Sequence, residues 1–522
     1  MGARRRLGVQ DALWLEMDRP NNLMVVDSVI WTSDPLDWDR VRTVLDERMA
    51  RRYSVFRSRA VRDADRSWWW EEDESFDLDD HVSLVTLDDP EDPRSLQRLV
   101  SDQRTQMLDR DRPLWHSVWV DRYGPGSAMV TRTHHAIADG IRMVELAMSL
   151  FDASPDGGSI LGPAVTLHAA KPHPPGQPAA DRVRAGMGAV SRQARKAMGV
   201  AAGAGQEAAL AAGMVPDALR ETGRLLRSAP TNPVGAGHGL LSEGSLLLER
   251  FGHAVRSSVL AALPGGGQLV DLAAATPADL DTARKLLLGT RNDPTMWTGR
   301  ATTTKGVAWA EPLPLAEVKA VARAHRATVN DVLVACLAAV LHDYLAAHRA
   351  HCASVTFMVP VNLKPLNPSL PDELGNGFAL VQLELPTDEP DPVQVLRIVK
   401  RRMSRIKHGH EAAVGFRVQE TISGLSHSVY EAAVDLLANR SIGVLTNVPG
   451  PPMTVYLAGS RVEGIVGWAP LSGDQPMSLT IYSYDGKVIV GVACDEQLVP
   501  GYQAIVDGFA DVFTRLRERT TL

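Results

Sequence analysis

The first 160 residues alternate between β-rich runs and runs with helical spacing. Val25 to Trp31 reads as a strand, and Trp38 to Arg52 and Ser95 to Leu108 read as helices. Leu114 to Asp121 and Ser127 to Thr133 are β-rich runs separated by Gly124-Pro125-Gly126, which predicts a hairpin. Ile141, Val144, Met148 and Phe151 then recur at the spacing of one helix face. Beyond this point the pattern changes: Pro163 to Pro178 is rich in proline and has no period, as in a linker. Val183, Met187, Val190, Ala194, Met198 and Ala201 next fall on one narrow arc, with Arg182, Arg184, Arg192, Arg195 and Lys196 on the other side. Such a basic amphipathic helix either docks on an anionic lipid surface or packs on its own domain with a solvated basic face.

From about residue 301 the alternation returns. Ala316 to Ala324, Asp331 to Leu345 and Val393 to Ile406 read as helices, and a last helix begins near Tyr502. Val355 to Val361, Phe378 to Leu385, Ile442 to Thr446, Ser478 to Tyr484 and Lys487 to Ala493 read as strands. The simplest architecture is α/β: two α/β halves, 1–160 and 301–522, joined by a helical linker or insert over 161–300.

Composition narrows the class. The chain has 522 residues, 45% hydrophobic and 22% charged, which suits several folded domains and neither general disorder nor a membrane-embedded protein. The Ala197 to Gln206 stretch falls well short of the ~20 apolar residues a membrane span needs. No apolar segment follows the arginines of the first seven residues, so no signal peptide is expected. Cys336, Cys352 and Cys494 match neither a disulfide framework nor a zinc pattern, as expected for a cytoplasmic protein. With 55 basic and 62 acidic side chains the net charge is −7, and the chain as a whole carries no nucleic-acid footprint. The acidic run Glu71 to Asp80 is expected to be a solvated loop.

The segment that carries chemistry is Thr133-His134-His135-Ala136-Ile137-Ala138-Asp139-Gly140. It follows a strand and opens a helix, where an imidazole can face a cleft. With an ordinary pKa near ~6.5, an imidazole suits proton abstraction from an alcohol, so His135 is a candidate general base. Asp139 can fix the loop by a charge-assisted contact, and Gly140 removes a side chain where a substrate could pass. Two alternatives stay open at this level: a purely structural histidine pair, and metal ligation. The second is disfavoured because adjacent side chains in extended chain point to opposite faces and no third ligand follows at suitable spacing. No Gly-x-Ser-x-Gly elbow or cysteine nucleophile context is present, so nothing points to an acyl-enzyme.

His134 to Gly140 resembles the H-H-x-x-x-D-G signature of CoA-dependent acyltransferases and peptide-synthetase condensation domains. Leu7 to Met17 (LGVQDALWLEM), Pro113 to Trp115 (PLW), Thr328 to Val332 (TVNDV), Val359 to Leu363 (VPVNL), Leu374 to Phe378 (LGNGF) and Asn447 to Pro451 (NVPGP) narrow it. In this order they resemble the bacterial wax ester synthase/diacylglycerol acyltransferase family. The resemblance implies two chloramphenicol acetyltransferase-like halves with mixed sheets. It also implies acyl transfer from acyl-CoA to diacylglycerol or a long-chain alcohol, with acyl-CoA as a substrate, no cofactor and no metal, and a possible place on a membrane or lipid-droplet surface. His135 would be the base, Asn330 would stabilise the thioester or oxyanion, and His134, Asp139, Gly140 and Asp331 would support the site. Read locally, Asn330 and Asp331 equally fit a helix N-cap before Val332 to Leu345, and Asn447 to Pro451 reads as a turn.

Overall fold

Apolar faces of two sheets, each backed by helices, bury one another in this fold. The computed structural model describes residues 4–138, 140–158, 160, 295–362, 378–408 and 438–520. The chain divides into two compact units; the described residues lie in the one formed by 1–171, 291–408 and 423–522, and the unit formed by 172–290 and 409–422 lies outside them. In chain order the first regular elements are β1 (Arg4–Arg6), α1 (Val9–Met17), β2 (Val25–Thr32), α2 (Trp38–Leu45), β3 (Ser58–Arg62), β4 (Trp68–Glu72), β5 (Val82–Val85), α3 (Pro93–Arg104), β6 (Trp115–Tyr123), β7 (Gly126–His134) and α4 (Gly140–Leu150). The second series is β8 (Lys305–Trp309), β9 (Leu313–Pro314), α5 (Leu315–Ala324), α6 (Val329–Ala347), β10 (Ser354–Asn362), β11 (Phe378–Pro386), α7 (Pro392–His408), β12 (Gly443–Pro449), β13 (Tyr456–Leu457) and β14 (Ser460–Trp468). It ends with β15 (Met477–Tyr484), β16 (Lys487–Asp495), α8 (Gln503–Asp507) and α9 (Phe509–Glu518).

The N-terminal sheet runs β13-β14-β2-β7-β6-β5, antiparallel except where β5 meets β6. The C-terminal sheet runs β11-β10-β12-β15-β16-β8, with β12 parallel to both its neighbours. The mixed α/β class and the β6–β7 hairpin agree with the sequence pattern. The two segments split at residue 301 do not keep their strands apart, however: β13 and β14 leave the C-terminal run and complete the N-terminal sheet beside β2. Gly464 permits this, since a Cβ there would lie 2.0 Å from the Trp31 ring. Where the sheets face each other, Trp309 stacks on Trp31 at 6.0 Å and packs on Trp468 at 5.7 Å, among Val29, Val130, Val307 and Ile489. Truncating a buried Trp of this kind to Ala typically costs about 3–5 kcal/mol.

Other local expectations shift. The acidic run is not wholly a solvated loop: Glu71 and Glu72 end β4 and pair with Arg4, Arg59 and Arg57. Helix α6 is buried on nearly every side, as its continuous apolar run demands, and starts at Val329 rather than Asp331. By length and composition it could cross a membrane, but most of its surface is buried in the C-terminal core. Nearly all of the expected linker, 161–294, lies outside the described residues, including the 182–201 basic helix.

Candidate functional site

The histidine pair sits where β7 ends. Its backbone is fixed from both sides: the N–H of His134 donates to Leu114 O (2.9 Å) and that of His135 to Met24 O (2.7 Å). Leu114 belongs to the Pro-Leu-Trp stretch. Beyond the pair, Ala136, Ile137 and Ala138 are buried, and the Ile137 N–H closes a turn onto His134 O (3.0 Å). The loop is therefore pinned by its own apolar residues and aims two adjacent rings in different directions.

The two rings have different surroundings. Both residues are buried, His134 completely and His135 with 6% exposure. The Nδ1 atom of His134 accepts from the Ala136 N–H (3.1 Å), which leaves the proton on Nε2, 3.6 Å from Asp18 Oδ2. Burial holds the His134 pKa below the ordinary imidazole value, and Asp18 only partly opposes it, so the ring is neutral at pH 7. Asp18 also loses solvation, but His134, the Met24 N–H and Arg110 outweigh that and hold its carboxyl below the usual range. The Met24 N–H donates to Asp18 Oδ1 (2.7 Å) and Arg110 Nη2 to Oδ2 (2.6 Å). His135 stacks on Trp14 of α1, ring centroids 4.0 Å apart and planes 25° from parallel.

Gly140 opens α4 and is exposed; a Cβ there would meet nothing within 4 Å, so the protein's own packing does not require glycine. Asp139 lies outside the described residues. Asn330 and Asp331 sit on the other half, at the start of α6. The N-cap is neither of them but Thr328, which forms a reciprocal capping box with Asp331: the Asp331 N–H donates to Thr328 Oγ1 (3.1 Å) and the Thr328 N–H to Asp331 Oδ2 (2.8 Å). Asn330 is thus released from capping. Its Oδ1 accepts from Asn447 Nδ2 (2.7 Å), which directs its own NH2 group elsewhere as a donor. Asn447 is correspondingly in strand β12 rather than in a turn; the chain bends only after Pro449.

The described contacts therefore gather the expected residues into two groups, the histidine pair with α1 on one half and Thr328, Asn330, Asp331 and Asn447 on the other. Asp18, Arg110 and Met24 have no motif of their own; Trp14 lies within the LGVQDALWLEM stretch and Asp18 directly follows it, four residues from Trp14. The segment between α1 and β2 is also tied to the C-terminal half, by Asn21 Nδ2 to Ala301 O (3.2 Å) and Lys305 Nζ to Asn22 Oδ1 (3.5 Å), with Lys305 paired to Asp495 (3.0 Å).

A loop-borne histidine pair on one of two helix-backed mixed sheets, with β13 and β14 of the C-terminal run completing the N-terminal sheet, defines a chloramphenicol acetyltransferase-like α/β fold. Within it, the family model "Wax ester synthase/diacylglycerol acyltransferase catalytic domain" matches residues 7–243 and "WS/DGAT C-terminal domain" matches 374–517, together well over half of the chain. The chain belongs to the wax ester synthase/diacylglycerol acyltransferase family. A probable diacylglycerol O-acyltransferase of Mycobacterium tuberculosis is 26% identical over 455 residues, covering 86% of this chain and 81% of that one. A putative diacylglycerol O-acyltransferase of the same organism is 24% identical over 524 residues, covering 97% and 95%. Among solved structures, a wax ester synthase/diacylglycerol acyltransferase from Marinobacter aquaeolei VT8 aligns with a TM-score of 0.63 at 19% identity, covering 100% of both chains. The first condensation domain of the calcium-dependent antibiotic synthetase aligns at 0.53 and 16% identity, covering 100% of this chain and 97% of that one. At these identities the two structures speak for the fold.

Proposed function

We propose that this chain is an O-acyltransferase that moves a long-chain acyl group from acyl-CoA to the hydroxyl of diacylglycerol, of a long-chain alcohol, or of both. The observation that carries it is the pair of family models spanning both halves, with the His134-His135 element inside the first. His135 takes the proton of the acceptor hydroxyl as that oxygen attacks the thioester carbonyl. The Asn330 NH2, oriented by Asn447, donates to the oxyanion of the tetrahedral intermediate. The carbon–sulfur bond then breaks, and CoA leaves as thiolate or takes the proton held by His135. No covalent enzyme intermediate and no cofactor are needed. The enzyme's work is chiefly to align two lipids and exclude water, which would otherwise hydrolyse the thioester. His134, buried and neutral, shapes the loop.

The acceptors are lipids, and a cytoplasmic location with peripheral attachment to a membrane or droplet surface is part of the same proposal. A carrier-dependent condensation activity is the rival that the fold alone would allow; the two family models favour free acyl-CoA. The deciding experiment assays purified protein with palmitoyl-CoA against dioleoylglycerol and against hexadecanol, beside His135→Ala. Ester formation with acyl-CoA as the only acyl donor is expected, with His135→Ala at least about 100-fold slower in turnover and normally folded. Equal ester formation by the two proteins would reject the general-base assignment, and none by either would reject the acyl-CoA reaction.

A further inference from the structure

The two histidines are gripped by a single face of one short helix. Trp14 lies in α1 and Asp18 is its C-cap residue; four residues apart, they project from the same side. Trp14 covers the His135 ring, and Asp18 faces Nε2 of His134. Asp18 reaches the second histidine too, because it binds the Met24 N–H while the Met24 carbonyl holds the His135 N–H. Arg110 fixes the helix end by donating to Asp18 Oδ2 (2.6 Å) and to Leu15 O (3.3 Å). We infer that α1 is a positioning clamp for the histidine pair, with Trp14 setting the plane of the His135 ring and Asp18 holding the backbone that carries it.

The inference rests on His135 being the base. A ring that stacks face to face directs both nitrogens along its edge, in the ring plane, and cannot rotate about its Cβ–Cγ bond without losing the stack. When the ring takes the acceptor's proton it becomes a cation against the indole face, where the ring quadrupole attracts positive charge. The stack is therefore stronger after proton transfer than before it, and its loss falls on turnover rather than on acyl-CoA binding. Trp14 and Asp18 touch the base and its support, so both are positioning residues.

Steady-state kinetics of the full chain with palmitoyl-CoA and dioleoylglycerol test the clamp, comparing wild type with Trp14→Phe, Trp14→Leu, Trp14→Met, Asp18→Asn and His135→Ala. Trp14→Leu is expected to lower kcat by about 10- to 100-fold, the scale of a misplaced catalytic group, while KM for palmitoyl-CoA and the melting temperature stay near wild type. Trp14→Phe, which keeps an aromatic face, should remain within about threefold. Trp14→Met fills similar space without that face and should behave like Trp14→Leu, giving a second reading if the leucine variant folds poorly. Asp18→Asn should lower kcat with a smaller effect on KM. Wild-type kcat in both aliphatic variants, a phenylalanine variant as slow as they are, or losses that track melting temperature would overturn the clamp. Loss of turnover in His135→Ala beside normal turnover in Trp14→Leu removes the clamp alone; normal turnover in His135→Ala removes the base assignment beneath it.

Discussion

The histidine loop and the start of α6 are both polar segments that open a helix, yet they are built in opposite ways. At the first, the rings are buried: burial keeps His134 neutral, while His134, the Met24 N–H and Arg110 keep Asp18 ionised against its own burial. At the second, hydrogen bonds do the work: Thr328 and Asp331 cap the helix, and Asn447 holds the half-exposed Asn330. The proposed base thus sits on a loop whose neighbouring ring is desolvated and against a stacked indole, and the proposed oxyanion donor at a helix N-terminus, which favours negative charge.

The largest effect that tests this contrast is at Asn330. Asn330→Ala should lower kcat by about 100-fold, the cost of losing one oxyanion donor, without loss of stability, because the cap belongs to Thr328 and Asp331. Asn447→Ala leaves the donor present but unaligned and should cost less, about 10-fold. Steady-state kinetics beside a denaturant titration measure both. Near wild-type turnover in Asn330→Ala would assign the oxyanion to another donor and make this end of α6 merely structural.

A second test uses acid. Burial lowers the pKa values of His81, His116 and His134, that of His116 to about 4. In the unfolded chain these rings take up a proton as the pH falls through about 6.5, while in the native state they resist it, so the unfolded state binds more protons and stability falls with acid. The loss should begin near pH 6.5, continue toward pH 4, and precede the contribution of Asp18, which disappears only below the usual carboxylate range. Melting temperatures at pH 7 and pH 5 should differ, and His116→Gln should flatten the difference. A flat profile across this window would mean that the native rings protonate freely and that burial does not govern the N-terminal site.

Much of this was legible in the chain. Helical spacing after Gly140 and two β-rich runs around a Gly-Pro-Gly turn place the histidine pair between strand and helix, because both signals are local. The capping box was legible too: Thr328 and Asp331 stand at the spacing of such a box, and the bias toward Asn330 as cap arises only from starting the helix at the first strongly apolar residue. The clamp was not legible, since Trp14 lies over a hundred residues from His135 and an apolar helix face reads as core whatever it touches. Nor was the migration of β14: a strand's sequence specifies a face and a period, not which sheet it joins.

The smallest effect is the most discriminating about the second region. Thr328→Ala removes the hydroxyl that accepts from the Asp331 N–H and should cost about 1 kcal/mol, typical of an N-cap, seen as a lower denaturant midpoint. The reverse bond, from the Thr328 N–H to Asp331, survives because it uses backbone on the threonine side. Asn330 is anchored separately through Asn447, so turnover should barely change. Were kcat to fall along with the midpoint, the cap and the donor would be one device, and the helix end would act as a preorganised unit. Independence of the two readings would mean that Asn447, 117 residues away in β12, aligns the donor, and that the C-terminal sheet rather than the helix cap tunes the oxyanion side.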